Sequence, residues 1–120
     1  MTRFDPVEPP VEDGRVASMA AQYGVGGIVD LHVHLREPGK EAAETVAAGS
    51  AAALAGGFTT VVCMPNTTPA LDCVEMVSRV RGLAEAAGDA RVEISACITA
   101  GRAGEGLADI AALAEAGVVA

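Results

Sequence analysis

From Ile28 to Leu35 apolar residues alternate with polar ones, which predicts a strand whose side chains point to opposite faces in turn. On that pattern His32 and His34 project together, Arg36 follows on their side, and Val33 and Leu35 pack on the other. The period then changes. Val46, Ala47, Ser50, Ala51 and Leu54 recur at helical spacing and predict a helix over Glu41–Ala55. Glu41 and Glu44 suit the positive end of its dipole, and Gly56 and Gly57 provide its stop. Phe58–Met64 is a nearly continuous β-branched and apolar run, as expected for a strand buried on both faces. Pro65–Pro69 reads as the loop after it.

Asp72 and Glu75 have the spacing of a capping box, with Asp72 as the cap of a second helix. Met76, Val80, Leu83 and Ala87 mark its buried stripe, and Gly88 ends it. Arg91–Ile98 is the third strand and Thr99–Gly104 the loop that follows. Leu107, Ile110, Ala111 and Ala114 mark a third helix closed by Gly117, and Val118 and Val119 begin a fourth strand. Strands alternating with helices in units of about 30 residues imply βαβ construction, right-handed crossovers and a parallel sheet. An open doubly wound sheet and part of a (β/α)8 barrel both fit. Residues 1–26, with Pro6, Pro9 and Pro10 among acidic residues and a glycine-rich end, read as a mobile tail and the remnant of a small β-element. Residues 27–120 form the α/β unit.

Composition narrows the partners. The chain has 120 residues, 51% of them hydrophobic but only 2% aromatic, so its core is built from small aliphatic side chains. A formal net charge of -8 argues against nucleic acid or an anionic membrane as partner, without excluding a small anionic substrate at a locally basic site. Cys63, Cys73 and Cys97 form no Cys-x-x-Cys pair, which favours reduced thiols and a cytoplasmic setting. No basic flank precedes an apolar stretch at the start of the chain, and no apolar run reaches membrane-spanning length, so neither a signal peptide nor a span is expected.

Ligands of parallel α/β folds bind at the C-terminal ends of the strands. That rule selects His32, His34 and Arg36 after the first strand, Asn66 and Thr67 after the second, and Thr99 and Arg102 after the third. Two imidazoles on one strand face suit a zinc ion, although two hydrogen-bonded core histidines fit the same spacing. Arg36 suits bidentate capture of a carboxylate, against a plain role at the rim. Asn66 is either a turn residue between prolines or a substrate contact. Asp30 faces the side of His32 without an assigned role. Cys73 packs near a helix start. Glu37, Glu41 and Glu44 read as a solvated acidic edge, and Lys40 as a surface residue.

Asp30–Gly39, Asp-Leu-His-Val-His-Leu-Arg-Glu-Pro-Gly, resembles the first-strand signature of dihydroorotases of the bacterial type I form. Gly56–Thr67, Gly-Gly-Phe-Thr-Thr-Val-Val-Cys-Met-Pro-Asn-Thr, resembles the second-strand signature of the same family. The resemblance runs from about Gly26 to Ala120. It implies a metal-dependent amidohydrolase barrel that interconverts N-carbamoyl-L-aspartate and dihydroorotate in pyrimidine synthesis, with one or two zinc ions. By motif position it implies that His32 and His34 are zinc ligands. It also places His34, Arg36 and Asn66 at the substrate, with Arg36 and Asn66 on its carboxylate. In the hydrolytic direction, water activated by the metal attacks the ring amide carbonyl, and an aspartate after the last barrel strand moves the proton.

A complete barrel needs roughly 250 residues. The family's further metal ligands and its catalytic aspartate are therefore expected beyond Ala120, and no catalytic residue is expected within this chain. The sequence reads as the N-terminal portion of a dihydroorotase-like chain, inactive alone. Two other readings share the motifs. One is a non-catalytic dihydroorotase-like partner of aspartate transcarbamoylase. The other is an allantoinase or hydantoinase, from which the Arg-Glu-Pro-Gly after the histidines separates this chain. The partners implied are a small-molecule substrate and, among proteins, a second copy of the chain or aspartate transcarbamoylase.

Overall fold

The computed structural model describes residues 27–120 of the chain. The tail and β-remnant expected over 1–26 lie outside the described residues. Three strands, β1 (Ile28–Val33), β2 (Phe58–Cys63) and β3 (Arg91–Ile94), form a parallel sheet in the order β1-β2-β3. Helix α1 (Val46–Ala55) links β1 to β2, and α2 (Val74–Ala87) links β2 to β3. A 3-10 turn at Ala100–Arg102 and the short α3 (Ile110–Glu115) follow β3. The strands thus lie side by side in chain order, with α1 packed on α2 and α2 on α3.

The central strand β2 matches its sequence: Thr59 to Cys63 are all buried. Helix α2 also runs as expected, ending where Gly88 adopts φ 71 and its N–H donates to Ala84 C=O. Its deepest contacts are Val77 and Val80, with Met76 and Leu83 half-buried beside them. Leu35, Val46, Leu71, Val77, Val80, Ile94 and Leu113 belong to one core cluster. Each such aliphatic side chain removed from water contributes about 1.5–3 kcal/mol.

Several boundaries differ from expectation. Helix α1 begins at Val46, not Glu41, because Thr45 is its N-cap: the Thr45 hydroxyl accepts from Ala48 N–H at 3.1 Å. Glu41–Ala43 form a separate turn closed by Ala43 N–H on Lys40 C=O, so Glu41 and Glu44 lie outside the helix's first turn. The buried stripe of α1 is Val46, Gly49 and Ser50, while Ala47 and Ala51 are exposed. Gly49 lets the helix pack closely there: a Cβ would sit 2.5 Å from Leu35 Cδ2, so a larger residue would push that side chain aside.

Asp72 does not cap α2. Cys73 is the N-cap residue and offers no side-chain hydrogen bond. The Asp72 carboxylate instead accepts from Gly101 N–H at 2.6 Å, tying down the loop after β3. Strand β3 ends at Ile94, short of the expected Ile98; its pairing with β2 carries one donor further, and the chain then turns away. Both the Ser95 N–H and its hydroxyl donate to Cys63 C=O (3.0 and 2.8 Å), and Cys97 N–H donates to Leu71 C=O. Leu107 and Ile110 are exposed, and the C-terminal helix buries Leu113 beside Ala108. After it, Val119 N–H reaches Ile94 C=O and Ala96 N–H reaches Ala120 C=O, which lays the final residues beside the end of β3 without a regular strand.

Candidate metal centre

The C-terminal end of β1 departs from simple alternation. Between Asp30 and Val33 the register advances three residues on β1 against two on β2, a bulge in the pairing. Within it the Asp30 carboxylate accepts from the backbone N–H of His32 at 2.9 Å. That local bond gives Asp30 a role in shaping the strand end. The strand stops at Val33, so His34, Leu35 and Arg36 belong to the loop, earlier than the expected end at Leu35. Leu35 nonetheless turns into the core and Val33 packs against it, as expected.

The two imidazoles converge. Nε2 of His32 lies 3.3 Å from Nε2 of His34, with the rings 68° apart. Two nitrogens each about 2.0–2.1 Å from one tetrahedral zinc ion are about 3.3–3.4 Å from each other. The pair is therefore spaced as two ligands of a shared ion. On the other side of the His34 ring, Nδ1 lies 2.8 Å from Oδ1 of Asn66, in the loop after β2. A metal-ligating histidine commonly has its second nitrogen held in this way. Among the described residues no group of three or more His, Cys, Asp or Glu side chains comes together that could hold a metal ion.

Of the other residues singled out in the sequence, Arg36 is exposed on the same loop and makes no ion pair among the described residues. The Thr67 hydroxyl donates to Pro69 C=O, which makes it part of its own loop. Thr99 accepts from Gly104 N–H, and Arg102 is exposed with a left-handed φ of 58. No hydrogen bond among the described residues joins that third cluster to the histidines. The structure thus brings together His32, His34 and Asn66.

Three residues of the first loop act in ways the sequence does not reveal. Glu37 is half-buried, and its carboxylate accepts from Val46 N–H at 2.9 Å, at the positive end of α1. It is a helix cap and not part of a solvated edge. Pro38 is buried, and its carbonyl accepts from Thr68 N–H at 3.0 Å. Gly39 has φ 103 and presses on the same loop, where a Cβ would meet Thr68 C=O at 2.3 Å. The loop carrying His34 and Arg36 is thereby docked on the loop carrying Asn66. Gly39 N–H also donates to the exposed Glu41 carboxylate, and this bond is the main reason its pKa is lowered.

A family model described as dihydro-orotase-like matches residues 22–120. The dihydroorotase of Anaeromyxobacter dehalogenans (strain 2CP-C) is 50% identical over 114 residues, covering 95% of this chain and 26% of that protein. The dihydroorotase of Brevibacillus brevis is 43% identical over 129 residues, covering 96% of this chain and 30% of that protein. That of Thermoanaerobacter sp. (strain X514) is 44% identical over 110 residues, covering 92% and 26%. The chain therefore spans between 26% and 30% of the length of these curated relatives.

Proposed function

The chain belongs to the dihydro-orotase-like family, and on that premise we propose that it carries the first part of a zinc-dependent amidohydrolase site acting between N-carbamoyl-L-aspartate and dihydroorotate. The pathway served is pyrimidine synthesis, in the cytoplasm. The observation that carries the reading is the 3.3 Å approach of the two Nε2 atoms, with His34 braced from behind by Asn66. The chemistry of the donors agrees: neutral imidazoles are good zinc ligands.

In this reading His32 and His34 hold zinc, one or two ions in a complete site. A zinc ion there supplies Lewis-acid polarisation of the ring carbonyl and activation of water. The chain's own residues bind and orient. Arg36, exposed and free of ion pairs among the described residues, offers a planar pair of donors to the substrate carboxylate. Asn66 offers its amide N–H groups to the same anion. Strands in sequential order, with neighbouring helices in mutual contact, support closure into a (β/α)8 barrel over a doubly wound sheet, where the order reverses. Residues 27–120 are its first part, and 1–26 a separate leading segment. Cys63, Cys73 and Cys97 are free thiols, in keeping with a reducing compartment, and no helix among the described residues is long and apolar enough to cross a membrane.

Two histidines leave a catalytic zinc short of its usual three protein ligands, so the 120-residue chain alone is inactive. The test is zinc titration of the chain against a chromophoric chelator, beside an assay with carbamoyl aspartate. His32→Ala and His34→Ala each lower zinc affinity at least about tenfold, and turnover stays at the level of these variants. Zinc affinity unchanged in both variants would sink the metal reading. Turnover well above the variants would sink the inactivity.

A further inference from the structure

We propose that Asn66 is a positioning residue whose carboxamide oxygen holds His34 as the Nδ1–H tautomer, leaving the Nε2 lone pair facing Nε2 of His32. The inference rests on the zinc reading of the two histidines and extends it to a residue that touches no metal. A neutral imidazole carries one N–H, and the nitrogen that bears it is set by the partner of the other. Free imidazole side chains in water favour the Nε2–H form. In that form His34 would aim a donor at the point where a cation needs an acceptor.

Asn66 reverses this preference by geometry. Its Oδ1 lies 2.8 Å from His34 Nδ1 and, as an acceptor, requires the proton there. The Nε2 of His34 then accepts from Nε2–H of His32 across their 3.3 Å separation, so the metal-free pair is satisfied with both Nε2 atoms already converged. The loop that carries Asn66 is fixed on both sides. Met64 N–H donates to Val33 C=O at 2.9 Å, Leu71 N–H to Pro65 C=O at 3.2 Å, and Thr68 N–H to Pro38 C=O at 3.0 Å. Asn66 is also half-buried, which limits competition from water. With the oxygen committed to His34, the amide NH2 is the part left for an anionic ligand. One side chain thus sets the metal ligand and faces the substrate.

Two histidines in the chain make the test direct. The zinc-free chain, labelled with 15N-histidine, is examined by long-range proton–nitrogen correlation at about pH 8.5, above the ordinary imidazole range. His34 should show a protonated Nδ1 and an unprotonated Nε2. Asn66→Ala should move it to the Nε2–H form, and Asn66→Asp, which keeps the acceptor, should restore Nδ1–H. Zinc affinity should fall about 10- to 100-fold in Asn66→Ala and return to within a few-fold of the parent in Asn66→Asp. An Nε2–H form of His34 in the parent chain, or an Nδ1–H form that survives in Asn66→Ala, overturns the proposal. If Asn66→Ala fails to fold by circular dichroism, the parent spectrum and Asn66→Asp decide. The expected tautomers in a parent chain that binds no zinc would overturn the metal reading and leave the Asn66–His34 assignment standing.

Discussion

Cys63 closes the central strand at 2% exposure, and burial pushes its thiol up from 9.0 to about 11. The folded chain therefore keeps a proton that the unfolded chain gives up above pH 9. The thiol's contribution is fully present below that pH and is lost as pH rises toward 11, a fall on the order of 2 kcal/mol. Burial moves Cys97 in the same direction, so the two losses overlap. Urea unfolding in reductant at pH 8 and pH 10.5 should show a steeper loss of stability for the parent than for Cys63→Ala; equal slopes would contradict the shift. At this scale the convergence of His32 and His34 was legible from their spacing, but its cause was not: a bulge precedes the strand end at Val33, and His34 already belongs to the loop. The partner of His34 was not legible either, because it lies 32 positions away and depends on how two loops dock. Glu37 reads as a surface acid in the sequence for a related reason: its N–H partner is nine residues on, at a helix start that local pattern alone does not fix.

Among the elements, those with a strong internal pattern formed where expected. The β2 run and the α2 stripe are set by burial on two faces and on one, and both features are written in local sequence. Ends were less legible because they are fixed by competing hydrogen bonds. Ala42 and Ala43 are good helix formers, yet Thr45 and Glu37 start α1 only at Val46. Glu37→Ala should lower stability by about 1–2 kcal/mol in urea unfolding, with Glu37→Gln losing less because an acceptor oxygen remains. No difference between Glu37→Ala and the parent would refute the cap. The six-residue α3 has a similar outside support. Arg81 on α2 donates to Ala116 and Gly117 C=O at 2.6 and 3.2 Å, placing a cation at the negative end of the short helix.

At the level of the whole molecule, β1 lies at an edge of the sheet among the described residues, and it carries exposed aliphatic side chains. Leu31 is 70% exposed and Val29 46%, while Ile98 and Leu107 are open beyond β3. An edge strand with unpaired backbone groups and exposed aliphatics invites association. Sedimentation velocity should find dimers or larger species growing with concentration, and a monomer with one sharp unfolding transition would refute this. The parallel α/β layering was legible from the alternation of periods along the chain. Whether the sheet continues around a closed barrel was not, because closure depends on pairings between strands far apart in sequence.

The docking of the first loop on the second has a further consequence, for how such a site can change over generations. Pro38, Gly39 and Thr68 mesh backbone to backbone, so neither loop can gain or lose a residue without moving both His34 and Asn66. Length variation is left to segments outside that seam, such as 103–106, which are exposed throughout. The two loops therefore act as a linked pair, in which side chains can be exchanged more freely than residues can be added or removed.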